Sequence, residues 1–506
     1  MQVPVNGPDP VPQRLDRLTL RGDPRAPALV DRDGTLNYAG FDEAVGMLAA
    51  ALLDRAATGD RIACWLPKTR IACLLPLACA RAGLVHVPIN PLLKRAQVAH
   101  ILADSGAVLL ITQPARLDTL QPGDLGSAEA IDALAISLDG AGLAPSALDA
   151  DPQTLAQILY TSGSTGRPKG VMLSHANLWL GAVSVAHYFG LAGDDRVLAL
   201  LPLSFDYGQS QLLATWAAGG CAYPLDYLTP ADAVKAVVKA GITTLAGVPP
   251  LWVQLVEAKW PTDGAPTLRR ITNTGGRLSV PLVRRLRTLF PDARLFSMYG
   301  LTEAFRSTYL DPELIDRHPD SIGTAIPFAE ILVVTPDGTI AADGQPGELV
   351  HAGPLVAQGY WQDAERTALR FRPAPAASAL GGMAVWSGDT VMRGADGLLR
   401  FVGRDDEMIK SAGNRISPTE VEEAAVAAGA AEAVALGIAD ERLGQSVLLV
   451  ARGDGDHDRL LSAMKRDLPN FMVPHRVIWR DALPRNANGK LDRVALKSEY
   501  VQEAGA

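Results

Sequence analysis

The stretch QILYTSGSTGRPKGVMLSH, from Gln157 to His175, gathers Ser, Thr and Gly into one cluster and follows it with Lys169. Such a cluster presents backbone N–H groups and hydroxyls to one small volume, and glycine lets the backbone take positive φ there. Phosphate oxygens are held this way, and a lysine adds a point charge. The stretch is not a Walker A loop, which reads G-x-x-x-x-G-K-[ST] and opens into a helix. Pro168 precedes the lysine, Gly170 follows it, and Val171-Met172-Leu173 reads as a strand. A flexible Gly/Ser hairpin has the same composition, so the loop alone leaves both readings open. SMYGLTEAF sets Thr302 beside Glu303 after an expected strand and glycine turn. A hydroxyl next to a carboxylate suits a phosphate contact beside a Mg²⁺ ligand, and an ordinary turn is the alternative. LPRNANGKLDR puts Lys490 after the turn signal Asn488-Gly489. Alone, that lysine reads as solvated.

The elements that must position these residues alternate in type. RIACWLP, LVHVPIN and AVLLIT read as strands, with KTRIACLLPLACARAG and KRAQVAHILADSG as helices between them. This is the pattern of an α/β layered fold with largely parallel strands. The Ala-, Gly- and Asp-rich stretch from Gly123 to Asp151 reads as a loose connection. Ser174 is an expected N-cap for a helix through Leu178–Val185. RVLALLPLS and TTLAGVPP read as strands, with SQLLATWAAGG, PADAVKAVVKAG and VPLVRRLRTLFP as helices. AEILVV and GELVHAG suggest a smaller β-rich unit, and RPAPAASALGGM an exposed loop. The character changes near Phe401–Asp406. A strand, a polar turn and a helix starting at Pro418, a favoured first helical position, lead into a compact α+β unit.

The fold expected is therefore α/β: a large layered N-terminal domain over 1–403, a hinge at 404–406, and a small α+β C-terminal domain over 407–506. At 506 residues, a prior of about 150 residues per domain gives roughly three units. The formal net charge is −8, which argues against nucleic acid as the main partner, since a phosphate backbone needs a concentrated basic surface. The four cysteines, Cys64, Cys73, Cys79 and Cys221, form no C-x-x-C and read as small buried hydrophobes, as suits a reducing cytoplasm. The first residues show no apolar signal-peptide region. The most apolar stretch is broken by Pro76, Arg81 and His86, too soon for a membrane span of about 20 residues. Cytoplasmic location, with no membrane span, is the expectation.

Taken together and in order, the motifs resemble those of the adenylate-forming enzymes, which include acyl-CoA synthetases and non-ribosomal adenylation domains. YTSGSTGRPKGV is similar to the family's phosphate loop, YGLTE to its adenine and Mg²⁺ motif, and GELVHAGPLVAQGYW and WSGD to the next two. GRDDEMIKSAGNRISPTEVE is similar to the hinge motif and NGKLD to the catalytic-lysine motif. The resemblance implies ATP and Mg²⁺, a carboxylate attacking the α-phosphate, and pyrophosphate gripped by the loop as it leaves. It implies that Thr161, Ser162, Gly163, Ser164, Thr165, Gly166 and Lys169 form that loop. Thr302 would contact the α-phosphate and Glu303 the Mg²⁺. Tyr299 would stack on adenine beside Gly275, Gly276, Arg277 and Gly300, with Asp389 and Arg404 on the ribose. Lys490 would bridge carboxylate, ribose and α-phosphate. In the second half-reaction a thiol attacks the adenylate, the C-terminal unit rotates about Asp406, and the turn near Gly413, with Arg415, replaces Lys490. The acidic run Asp405–Glu407 is alternatively a plain solvated turn.

LLPLSFDYGQSQ bears on the acid. Phe205-Asp206 resembles the Phe-Asp of amino-acid adenylation domains, where the Asp receives the substrate's ammonium. The alternatives are an Asp paired with a local Arg or capping the next helix. By the same resemblance Tyr207, Ser210, Gly247, Thr272 and Thr274 line the acid pocket with Met298, Arg306 and Ser307. That lining is polar and disfavours a long-chain fatty acid. A buried Arg306 needs a partner, either a substrate side-chain carboxylate or Asp206. LPLSFDYGQSQLL, MYGLTEAFRSTYL and AVWSGDTV are similar to the exosortase-A-associated AMP-forming acyl-CoA ligases, whose gene neighbourhoods encode a carrier protein. That implies a carrier-protein phosphopantetheine as acceptor, with free CoA the alternative. The expected function is activation of a small amino acid or a polar or dicarboxylic acid and its transfer to that thiol. A small-acid acyl-CoA synthetase is the alternative. Intact Lys169, Glu303 and Lys490 argue against a nucleotide-binding protein without turnover, and nothing in the sequence favours a luciferase-like oxygenase.

Overall fold

Runs such as Val85–Pro88, Leu109–Thr112 and Thr244–Gly247 are buried along their whole length. Strands of that kind belong in parallel sheets covered by helices. A computed structural model describes residues 7–138, 151–161, 168–262, 264–404, 408–453, 455–484 and 491–503. In it these runs build two such sheets. The first has six strands in the spatial order Glu129–Asp132, Leu109–Thr112, Arg61–Cys64, Val85–Pro88, Leu155–Thr161, Lys169–Ser174. Its neighbours are parallel except the last pair, which is antiparallel. The second runs parallel through Cys221–Pro224, Arg196–Ala199, Thr244–Gly247, Arg270–Asn273 and Arg294–Tyr299. It then turns antiparallel through Thr308–Leu310 and Ser321–Ala325 into the β-rich region from Glu330 to Arg404.

The helix Arg70–Ala82 shows how the layers join. Thr69 caps it by accepting from the Ala72 N–H, Gly83 ends it at φ 70°, and every residue from Ile71 to Ala82 is buried. A helix that is apolar all round lies inside a protein, and this one sits in the core shared by both sheets. The expected cap at Ser174 is present: its hydroxyl accepts from the Asn177 N–H and the Asn177 side chain accepts from the Ser174 N–H. The helix it starts runs His175–Phe189. All four cysteines are free and buried, and burial pushes the Cys64 and Cys221 thiols up to about 12, so both stay neutral thiols. No helix among the described residues is long and apolar enough to cross a membrane.

Three local expectations change. The Gly123–Asp151 stretch is not wholly a loose connection, because Glu129–Asp132 adds a parallel edge strand against Leu109–Thr112; an edge strand needs few apolar residues, so its period is weak. Residues 139–150 lie outside the described set. The helix expected from Ser210 begins at Asp206. The expected polar turn after residue 404 includes a short hairpin, Ile409–Ser411 with Asn414–Ile416.

Residues 409–479 pack around their own five-stranded sheet and helices, with a core of Ile409, Val421, Leu449, Leu460 and Met464. Polar contacts tie this unit to the larger one. Gln97 Nε2 donates to Glu420 at 3.2 Å, and Arg442 pairs with Glu257 at 3.2 Å. Burial pushes the Glu420 carboxyl up to about 7, opposed by the Gln97 hydrogen bond and aided by nearby Glu423. The folded state thus holds this proton more tightly than the unfolded chain, so its contribution to stability falls as pH rises from about 4.5 to about 7. Melting temperatures at pH 5 and pH 8 should therefore drop less for Glu420→Gln than for the parent; parallel drops would contradict this.

Candidate active site

Thr161 and Lys169 face each other in the antiparallel ladder, which fixes both ends of the loop between them. The loop residues Ser162, Gly163, Ser164, Thr165 and Gly166 lie outside the described residues, as do Lys490 and Asp406. Thr161 Oγ1 is buried and has no hydrogen-bond partner. Lys169 Nζ donates to Glu303 Oε1 at 2.9 Å and to the Tyr360 hydroxyl at 2.8 Å. Tyr360 in turn donates to Glu303 Oε1 at 2.7 Å, and the ammonium sits 4.2 Å from the Tyr360 ring centroid. Burial alone would protonate Glu303, but Lys169 and Arg415 outweigh it and hold the carboxyl well below the usual range. Burial pulls the Lys169 ammonium down while Glu303 holds it up. The pair is ionised, since each charge is the other's nearest compensation. Arg370 and Arg415 line a small cavity with Lys169, Glu303 and Tyr360. Three cations around one carboxylate suit a polyanion with a hard metal ion.

The main cavity, of about 420 Å³, opens beside this cluster and falls within the size range of small-molecule sites. On one side Thr274, Gly275, Gly276 and Arg277 face Tyr299, Gly300 and Thr302. Gly275 sits at φ 78°, and a side chain on Gly276 would meet Pro249 at 3.1 Å. The Tyr299 hydroxyl donates to Asp389, and the ring lies 6.3 Å from that of Phe401. Asp389 stands opposite Arg404 in the ladder, which places the two expected ribose residues on adjacent strands.

The C-terminal unit closes the cavity with Lys410, Gly413, Arg415, Leu443, Gly444 and Gln445. Gly413 is at φ 79°, and a Cβ there would fall 2.8 Å from Val248 Cγ2. A glycine is needed both for the backbone conformation and for the approach. Arg415 comes close enough to Glu303 and Lys169 to shift both.

Of the residues expected to line the acid pocket, Phe205, Asp206, Thr274, Met298 and Arg306 reach this cavity. Tyr207, Ser210, Gly247, Thr272 and Ser307 are not part of its wall. Tyr207 hydrogen-bonds Thr272 at 2.5 Å and underlies the Arg306 guanidinium. Gly247 backs onto Trp252, which its Cβ would meet at 2.7 Å. Ser307 bonds His351 Nδ1 at 3.0 Å. Asp206 does not cap its helix: the N-cap is Phe205 and no side-chain cap bond forms. Burial pushes the Asp206 carboxyl up and Arg306 partly offsets that, yet the two make no ion pair. Tyr360 and Arg370 were not singled out from sequence. The signal for Tyr360 is its place in GYW, which bridges Val171 on the phosphate-loop strand.

Comparison with known proteins agrees with this geometry. The description "AMP-binding enzyme" matches residues 17–361, and "AMP-binding enzyme C-terminal domain" matches 420–490. A feruloyl-CoA synthase of Amycolatopsis sp. is 32% identical over 96% of this chain and 97% of its own. An L-proline–[L-prolyl-carrier protein] ligase of Pseudomonas fluorescens is 32% identical over 94% of this chain and 96% of its own. The structure of o-succinylbenzoate CoA synthetase from Bacillus subtilis, bound to a product analogue, superposes with a TM-score of 0.84 at 25% identity, covering 96% of this chain and 98% of that one. ATP-bound MatB from Rhodopseudomonas palustris gives 0.72 at 26% identity, covering 97% and 99%. The chain belongs to the AMP-binding enzymes, and it is an adenylate-forming acid–thiol ligase.

Proposed function

We propose that this ligase activates a small polar acid, an amino acid or a dicarboxylic acid, and passes it to the phosphopantetheine thiol of a carrier protein. The observation that carries the substrate reading is the cavity wall. A half-buried Asp206 and a buried Arg306 put acidic and basic groups beside Thr274 and Met298. A long hydrocarbon chain would desolvate both charges without replacing their water.

In the first half-reaction a carboxylate oxygen attacks the α-phosphorus of ATP, the bond to the β-phosphate oxygen breaks, and acyl-adenylate and pyrophosphate form. The chain supplies positioning and charge. Lys169 exchanges Glu303 for phosphate oxygens, with Thr161 Oγ1, Thr302 and the loop 162–166 around them. Glu303 is ionised and fits a Mg²⁺ ion, which when bound neutralises phosphate charge. Tyr299, Gly275, Gly276, Arg277 and Gly300 form the adenine slot, and Asp389 and Arg404 hold the ribose. Lys490 stabilises the charge developing between carboxylate and α-phosphate. In the second half-reaction the thiolate attacks the acyl carbon and AMP leaves, with Gly413 and Arg415 serving this step; their lining of the cavity supports that role.

The carrier-protein acceptor is supported by likeness to the prolyl-carrier-protein ligase. Equal identity to feruloyl-CoA synthase supports free CoA as the second reading. Mass spectrometry of thioester products, with a holo-carrier protein and with CoA as competing acceptors, tests it. We expect loading of the carrier protein to dominate; thioester on CoA alone would replace the first reading with the second.

A further inference from the structure

The turn that follows Thr302 and Glu303 is strained. Phe305 sits at φ 59° and ψ −65°, and the Arg306 N–H bonds Ala304 O at 2.6 Å. This is the positive-φ γ-turn, rare for a residue with a side chain. The surrounding packing enforces it. The Phe305 ring fills the space over Gly181, where a Cβ would lie 2.5 Å from the ring. The turn sends Arg306 inward to 2% exposure. Gly300 gives it passage, since a Cβ there would lie 3.1 Å from Arg306 Cδ.

Arg306 lines the acid cavity, and its guanidinium lies 4.7 Å from the Tyr207 ring centroid and beside the Tyr188 hydroxyl. Its Nε has no hydrogen-bond partner. No carboxylate among the described residues pairs with it within 4.0 Å, Asp206 included. A buried guanidinium with no carboxylate directly paired to it is costly, and its fork fits a carboxylate.

We propose that Arg306 receives a second carboxylate of the acid being activated, so that the substrate is a small dicarboxylic acid or an acidic amino acid. This rests on the ligase reading above. Strain, burial and an unmet Nε converge on one residue lining the cavity, and the ligase reading gives the reacting carboxylate to Lys490. A second anion on the substrate would supply the direct partner that Arg306 lacks among the described residues.

Matched acids in ATP–pyrophosphate exchange test it: succinate against butyrate, glutarate against pentanoate, and aspartate and glutamate against 2-aminobutyrate and norvaline. The expected result is a kcat/KM favouring the diacid by at least about tenfold in a productive pair. Arg306→Met should cut that ratio by about tenfold or more, and Arg306→Lys should keep part of it by retaining charge without the fork. Within one variant the ratio does not depend on the fraction folded. Preference for aspartate or glutamate over succinate and glutarate would place an amine in the pocket; the reverse would exclude one. Equal or better use of monoacids by the parent, or an unchanged ratio in Arg306→Met, overturns the inference and leaves the ligase reading standing. Exchange with no acid at all contradicts both.

Discussion

Lys490→Ala is expected to lower ATP–pyrophosphate exchange by about 10²- to 10³-fold while sparing thioester formation from a pre-formed acyl-adenylate. The asymmetry follows from where the C-terminal unit sits. Its Gly413 turn lies against Val248 and, with Arg415, lines the cavity. The residues flanking the 485–490 segment, Leu483 and Leu491, instead pack with Val434, Leu436 and Leu496 on the unit's own sheet, and neither lines the cavity. In this arrangement the unit presents its hairpin turn to the site. We propose that the first step uses Lys490 instead, presented when the unit turns about a few hinge residues. The half-reactions should therefore separate under mutation: Lys490→Ala stops the first, and a bulky residue at Gly413 the second. Equal loss of both steps in Lys490→Ala would contradict the account.

Glu303→Gln should be nearly as damaging to exchange, with a loss of about 10²-fold, and should also lower the melting temperature. Glu303 compensates Lys169 directly and accepts from Tyr360. The amide keeps an acceptor oxygen but no charge. Lys169, which burial already pulls down, then faces Arg370 and Arg415 with no carboxylate among them. ATP should partly restore the melting temperature, because its phosphates supply the missing anion. A variant with full exchange activity would remove Glu303 from the phosphate site. One that melts lower but is not raised by ATP would reduce it to a structural partner of Lys169.

The chemistry was legible where it is carried by short contiguous motifs. Thr302-Glu303, Lys169 and the Gly275-Gly276 pair occupy the common cavity region because each is fixed by a strand end, and strand ends follow from local apolar runs. The α/β class was legible for the same reason. What was not legible depends on distant segments. Tyr360 reaches Lys169 and Glu303 because GYW pairs with Val171 across the fold. The edge strand Glu129–Asp132 gains its identity only from its neighbour. The five residues expected in the acid pocket that sit behind it, Tyr207 among them, were placed by likeness, which fixes position along the chain and not the direction of a side chain. Arg306 is the converse case. Sequence named it as a buried cation in need of a partner, and the Phe305 turn, with no ion pair to Asp206, supports the substrate carboxylate proposed above.

The measurement that bears most directly on the central claim is ATP–pyrophosphate exchange without any acceptor, over amino acids, dicarboxylic acids and fatty acids, for the parent and for Asp206→Ala. The expected result is exchange that requires an added small polar acid, with an amino acid's contribution lost in Asp206→Ala. Exchange supported only by long-chain fatty acids, and unchanged in Asp206→Ala, would contradict it.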